Sequence, residues 1–572
     1  MDMTEYKKSL RLQVPILLTV SSSAGWGGMN PACPADANRP PDGRAVSSGK
    51  RPRIYFKHPL ARRRSWPITI WMATTTLPSL EVSQNVSTAA SRKWSVPLPV
   101  VLGSILALFV FFLVPRAVND PDIWWHLENA KLQLATGSFL RHDVYSFSAA
   151  GSAWMNHEWL GELPFLLGWK LAGAAGVYAV TVLSVTVIML GMFALAWKKC
   201  SSPLAALVAM LPALLLSSVS YGPRTLLFGW MLLLVELALL ERFRAAASVG
   251  ETDRAIWLLP LLFAVWINTH GSWSIGLVLL GLFLAAGLFN FSQGGLYSDR
   301  WSAAQLRTLL KVGGASVAAL FLNPYGWRLP LYPFNMAFKQ KLNIASVEEW
   351  RSVDFHMARG KIFLILIALL FLFRILQRRR WSLQEAAFAA LALYSGLTYS
   401  RFLFLAAILL TPLLARDVAA WMPGPSNHPR RKLSFLHTAA FVAAAYLIFA
   451  HLPSRAELQR DPKYPIAAVE WANQHPLEGR TFNEYLWGGY IEFHSAALKP
   501  YIDSRMDIFE YNGTLRRYLD AVHLQNSLAI LDQENIHNVF IEKDSPLAYL
   551  LSHTSGWKPV YQDDVAVVFT RG

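Results

Sequence analysis

A chain of 572 residues that is 53% hydrophobic and 16% charged, with its apolar residues gathered in long blocks, is not composed like a soluble globular protein. Its net charge of +16 does not mark a nucleic-acid binder, because residues 1–95 hold 14 Lys/Arg against 5 Asp/Glu and no basic face interleaved with aromatics follows them. Two cysteines far apart, Cys33 and Cys200, exclude a disulfide framework and a CxxC metal site.

The first 95 residues mix Pro, Ser, Gly and Arg without a sustained apolar period, which predicts a disordered basic tail. Met72 opens a short polar lead into the first apolar block, so it reads as the start of translation, with 1–71 an upstream extension. Mass-spectrometric peptides from before Met72 would refute that reading.

Eleven apolar blocks follow, at about 96–114, 174–197, 203–219, 225–240, 255–267, 273–291, 309–322, 361–376, 384–398, 401–415 and 434–452. A spanning helix needs roughly 20 mainly apolar residues, and in hydrocarbon only a helix or a closed barrel satisfies every backbone group. The predicted fold is mostly α: a polytopic helical membrane bundle of about eleven spans. Positive clusters set its orientation. Arg92 and Lys93, Lys198 and Lys199, Arg242 with Arg244 and Arg254, Arg300 with Arg307 and Lys311, Arg378 to Arg380, and Arg430 to Lys432 share one side if the chain starts in the cytoplasm. The loop 323–360 runs against this, carrying Arg328, Lys339, Lys341, Arg351 and Arg359 outside. The organisation is then a tail (1–95), a transmembrane region (96–452) with a first external loop at 116–173, and an external segment (453–572). That last segment has 11 Lys/Arg against 16 Asp/Glu. Runs such as Lys499 to Ile502, Asn538 to Ile541 and Val565 to Thr570, beside a helix-like Leu515 to Asp532, predict a small extracytoplasmic α/β domain. The expected location is a bacterial inner membrane, N-terminus inside.

This topology sends the conspicuous polar residues to the outer rim. The first loop offers Asp120 and Asp122, then Trp124 and Trp125, then His157 and Glu158; hairpin tips add Arg224, His270 and Arg401; longer loops add Asn323 to Gly326 and Glu348-Glu349-Trp350. Ile123 to Thr136 has helical spacing with Gly137 beyond it, which predicts an interfacial helix with Asp122 at its N-cap. Asp122 either caps that helix or serves as a base; with Asp120 it could also bind a divalent cation. Arg224 and Arg401 either snorkel to headgroups or, with His270, grip a lipid phosphate. His157 and Glu158 are either a wet helix start or a second acid–base pair, and the tryptophans either stack on sugar or form an interfacial belt. Glu236, inside the fourth block, is expected to be solvated or paired with Arg242 and Arg244.

Several of these stretches resemble a known group. Asp122-Ile-Trp-Trp-His-Leu127, Trp154 to Leu160, Trp266 to Gly271, Asn323 to Gly326, and Tyr485 to Tyr490 with Ile502-Asp503-Ser504-Arg505 are similar to a largely uncharacterised group of bacterial proteins within the C-type membrane glycosyltransferases (GT-C fold). The likeness runs from about Val96 to the end. It implies a polyprenyl-phosphate or pyrophosphate sugar donor, a glycan, lipid or protein acceptor, no nucleic acid, and work at the outer face, with Asp122 and less firmly Asp120 as the first-loop acid. The second-loop acid motif of better-known members has no counterpart, and Trp487-Gly488-Gly489 resembles the oligosaccharyltransferase Trp-Trp-Asp-Tyr-Gly motif without its Asp. The acceptor and any metal stay open on this ground. A transporter or flippase, or an envelope scaffold, remain the competing classes.

Overall fold

The computed structural model describes residues 96–422, 430–459, 461 and 463–572; the basic tail and Met72 lie outside them. Each of the eleven apolar blocks is helical. They form Leu98–Leu113, Ala174–Cys200, Pro203–Ser217, Leu226–Ser248, Arg254–Leu258 continuing into Leu259–Trp266, Trp273–Ala286, Ala303–Ala319, Ala358–Gln377, Leu383–Thr398, Leu403–Ala419 and Arg430–Ala450. Among the described residues, four stretches are long and apolar enough to cross a bilayer: Ala174–Cys200, Pro203–Ser220, Ala358–Gln377 and Ser400–Ala419. Leu98–Leu113, Arg254–Trp266, Trp273–Ala286 and Phe435–Ala450 are apolar but shorter. A helix of 16 residues rises about 24 Å against a hydrocarbon core of about 30 Å, so apolar blocks and full-length spans are different counts. The chain is an integral membrane protein, and its described part is mostly helical with two small sheets.

Close approach in the bundle depends on small residues. The Pro203–Ser217 and Leu403–Ala419 helices pack along each other, and Ala206, Ala209, Ala213, Ala406 and Ala407 are all buried. Van der Waals contact between such faces is what associates helices in lipid. Helix Trp159–Ala172 turns into Ala174–Cys200 through Gly173 at φ +60°, and a Cβ on Gly176 would overlap the Gly168 carbonyl.

β1 (Phe291–Gln293), β2 (Leu296–Ser298) and β3 (Trp381–Ser382) form a three-stranded sheet in that order. The C-terminal segment carries the second sheet: β4 (Arg480–Asn483), β5 (Ile536–Glu542), β6 (Trp557–Gln562) and β7 (Ala566–Arg571), ordered β4-β5-β7-β6 with β4 parallel to β5. Asn538 to Ile541 and Val565 to Thr570 fall on β5 and β7 as expected. Lys499 to Ile502 forms no strand, and the Asn483 side-chain oxygen takes the Tyr501 N–H (2.7 Å). The helix expected over Leu515 to Asp532 is two helices, Thr514–Val522 and Ser527–Gln533. Leu524 and Asn526 at φ +60° and +63° break it, and a continuous helix cannot accommodate that backbone.

The Asp122–Thr136 helix forms as predicted and ends on Gly137 in the left-handed region (φ +62°). Two corrections apply. Its N-cap is Pro121, with Asp122 the first helical residue; the Asp120 carboxylate accepts the Asp122 N–H at 3.1 Å, so Asp120 does the capping. The first part of its apolar face is also covered by protein rather than lipid: Ile123 to Leu127 are buried where the Gly488–His494 helix packs on it, while Leu134 stays exposed. The glycine pair makes that packing possible. A Cβ on Gly489 would sit 3.1 Å from the Pro121 carbonyl and 3.2 Å from the Trp125 N, and one on Gly488 would collide with the Ile502 carbonyl.

Arg505 fixes the same contact electrostatically. Buried, it pairs with Asp503 (2.5 and 2.9 Å) and reaches across to Asp143 of the first loop (2.8 Å), with its guanidinium over the rings of Tyr145 (4.9 Å) and Trp154 (4.8 Å). Glu492, 3.8 Å away, is held well above the usual carboxylate range by burial and by Asp503, so the close partners of Arg505 are the two carboxylates of Asp503 and Asp143. Arg505→Met should therefore cost about 3–5 kcal/mol, since it leaves two buried acids without a counter-charge. Thermal unfolding in detergent checks this; a midpoint unchanged from wild type would contradict it.

Candidate functional site

Loops remote in the chain converge on Arg224. Its Nε pairs with Asp120 Oδ2 and its Nη1 lies 2.6 Å from Glu349 Oε1. A half-buried guanidinium with both acid partners supplied by the protein is not snorkelling to headgroups. Asp120 is thereby committed, one oxygen to Arg224 and the other to the Asp122 N–H. Asp122, half-buried beside it, accepts one long bond from Trp125 Nε1 (3.3 Å), which the same N–H shares with Ser504 Oγ (3.1 Å).

Arg401 differs from Arg224. Its guanidinium lies 4.2 Å over the Trp350 ring and is paired with no acid among the described residues. Trp350 follows Glu349, the partner of Arg224, so one short segment serves both arginines. Stacking holds the planar cation in place while leaving its N–H edge unused.

Behind these groups lies a knot of imidazoles around Glu158. His126 Nε2 (3.3 Å), His157 Nε2 (3.2 Å) and His270 Nε2 (3.3 Å) surround its carboxylate, and the Thr225 hydroxyl donates to it at 2.7 Å. Burial would raise Glu158, but His157, His270 and His126 together hold it well below the usual carboxylate range. His126 is pinned on its other side by Glu162 (2.9 Å), itself bound by Asn129 (2.6 Å) and Asn156 (2.9 Å). With a carboxylate at each ring nitrogen, His126 is a buried imidazolium: burial opposes the charge, and Glu162 and Glu158 outweigh it, raising the group above its ordinary value. His157 is raised in the same way, burial being overcome by Glu158.

His270 departs from expectation. Its Nδ1 accepts the Ser272 backbone N–H at 2.9 Å, so its proton sits on Nε2 and points at Glu158. Burial pushes it down to about 4. It is a neutral donor to Glu158 and not a cation available to a phosphate. The tryptophans are also reassigned. Trp124 and Trp125 are 5% and 6% exposed; Trp124 packs among Trp169, Tyr464, Tyr490 and His494, and Trp125 lies on His126 and Trp154. Neither ring is open to a sugar or to lipid. Glu236 is fully buried with neither oxygen hydrogen-bonded, far from the solvated or paired state expected of it.

Sequence reading brought out Asp120, Asp122, His157, Glu158, Arg224, His270, Arg401 and the Glu349-Trp350 pair, and missed His126, Glu162 and Thr225. Glu162 stands four residues after Glu158, one helical turn on, which is the signal that could have found it. Of the two acids offered for a divalent cation, Asp120 is engaged on both oxygens, and among the described residues no group of three or more His, Cys, Asp or Glu could hold a metal ion.

Solved structures similar to this chain include the oligosaccharyltransferase AglB from Archaeoglobus fulgidus in complex with an inhibitory peptide and a dolichol-phosphate. The identity is 12%, covering 83% of this chain and 74% of that one, with a TM-score of 0.49. ArnT from Cupriavidus metallidurans bound to undecaprenyl phosphate is similar at 15% identity, covering 82% and 97%, with a TM-score of 0.49. No family model and no curated protein matches the chain.

The histidine knot sets a pH dependence. His270 is depressed in the fold from its ordinary 6.5 to about 4, so the unfolded chain binds the extra proton and stability falls as pH drops through that window. The slope is at most about 1.4 kcal/mol per pH unit, one proton's worth. His270→Gln should flatten the stability profile between pH 6.5 and 4 relative to wild type. Parallel profiles would show that His270 takes its proton as readily in the fold.

Proposed function

We propose that this protein is a membrane glycosyltransferase that moves a sugar from a polyprenyl-phosphate-linked donor to an extracytoplasmic acceptor, in the bacterial inner membrane with its C-terminal segment outside. One observation carries the reading: an incompletely used carboxylate, Asp122, and a guanidinium without an acid partner, Arg401, share one charged rim at the ends of apolar helices. The sequence resemblance to GT-C proteins points the same way.

The step is a single displacement. The acceptor hydroxyl oxygen attacks the sugar's anomeric carbon and its proton passes to Asp122; the bond from that carbon to the phosphate oxygen breaks, and its electron pair leaves with the phosphate. Arg401 meets the charge growing on that phosphate, with Arg224 beside it. Asp120 and Glu349 hold Arg224 in place, so Asp120 is a positioning residue here. The imidazoles and Glu158 keep the first loop and the hairpin tip at His270 in one arrangement.

A positioned base contributes about 10²- to 10⁴-fold, so Asp122→Asn should lower transfer by that factor in vesicles supplied with radiolabelled polyprenyl-phosphate sugars. Arg401→Ala should lower it by about 10²- to 10³-fold, as when one preorganised donor to a developing charge is removed. Full transfer by Asp122→Asn would end the reading. The buried, unpaired Glu236 favours a second one, a transporter, because an ionisable group at membrane depth is costly unless used. Transport that depends on Glu236, with sugar transfer indifferent to Asp122, would select it. A reporter fused after Gly572 tests the orientation: activity characteristic of the cytoplasm would place the rim on the wrong side.

A further inference from the structure

The loop 323–360 is where charge runs against the assigned topology, and the structure gives three of its cations a common setting. Arg328–Lys339 is a helix. Trp327, Leu331, Phe334 and Phe338 are 63%, 45%, 56% and 74% exposed, and their spacing of four, three and four residues puts them on one stripe. The other side is occupied by protein: Leu329 is buried, and the Tyr332 ring lies 4.5 Å from that of His157 while its hydroxyl donates to Asp507 at 3.0 Å. The stripe continues the exposed Phe321 and Leu322 that follow the Ala303–Ala319 helix. Arg328, Lys339 and Lys341 are exposed at its ends and pair with no acid among the described residues.

A row of four large apolar side chains facing away from the protein is costly in water. Flanked by unpaired cations, it has the chemistry of a helix lying at the boundary between acyl chains and anionic headgroups. We propose that the Arg328–Lys339 helix is seated in the outer-leaflet interface, its stripe among acyl chains and Arg328, Lys339 and Lys341 on headgroup phosphates. Three of the five cations that disturb the charge rule are then lipid ligands, which eases the conflict without reversing the chain.

Seating this helix also fixes the rim. Beyond it, the Leu342 and Asn343 N–H groups donate to Glu510 of the C-terminal segment (3.0 and 2.7 Å), and the chain then delivers Glu349 to Arg224 and Trp350 beneath Arg401. The strap from 328 to 350 thus joins bilayer, C-terminal segment and site. The inference does not require that the site transfer sugar.

The test uses the full chain with Cys33→Ser and Cys200→Ser, carrying an environment-sensitive fluorophore on Phe338→Cys, with Leu331→Cys as a second position and Asp564→Cys as a control in water. In phosphatidylcholine–phosphatidylglycerol vesicles, probes at 338 and 331 should lose emission to brominated acyl chains and be shielded from iodide, and the probe at 564 should do the reverse. Quenching should weaken in phosphatidylcholine alone; equal quenching would overturn the headgroup part of the proposal. Iodide access at both 338 and 331 would overturn the whole of it. So would shielding from iodide without quenching by brominated lipid, because a protein would then cover the stripe.

Discussion

The site depends on a half-buried guanidinium held by two carboxylates. Arg224 pairs with Asp120 and Glu349, 104 and 125 residues away in the chain. Drawing a charge out of water without a partner is costly, so the first loop, the hairpin tip at Arg224 and the strap at Glu349 are held together by these two ion pairs. Arg505 does the same further out, tying Asp143 of the first loop to Asp503 of the C-terminal segment. Two arginines therefore set the geometry of the rim. The glycines at 488 and 489 make room for the surfaces they bring together.

Within that frame the charges are divided unequally, and the division assigns the roles. Asp120, Glu158 and Glu162 have their oxygens occupied by cations, hydroxyls or amides, which makes them structural. Asp122 and Arg401 keep capacity to spare. Tryptophan stacking lets Arg401 stay fixed without an acid, which suits a cation meant for a transient anion. The proposed chemistry thus falls on residues that the packing leaves underused.

Much of this was legible in the sequence, and for physical reasons. Helix-length apolar blocks, Gly137 past the end of Ile123 to Thr136, and alternation in β5 and β7 are local signals, and each element formed where its signal lay. The sequence grouped Arg224, His270 and Glu158, and His270 and Thr225, the neighbour of Arg224, both meet Glu158 in the fold. What stayed hidden depends on partners distant in the chain. The tryptophans look interfacial until the Gly488–His494 helix covers them. His270 looks like a cation until the Ser272 N–H occupies its Nδ1, and Asp120 looks like a catalytic acid until Arg224 claims it. Glu236 was the reverse case, since nearby arginines suggested a partner that the helix geometry does not provide.

The central claim is that Asp120 and Arg224 act as one unit holding two remote loops together, and a double-mutant cycle tests it without any substrate. Unfolding of Asp120→Asn, Arg224→Gln and the double variant should be strongly non-additive, with a coupling within the 0.5–3 kcal/mol range found for residues in one ion-pair network. Additive losses within a few tenths of a kcal/mol would mean that the two side chains do not meet, and the rim built on them would not exist.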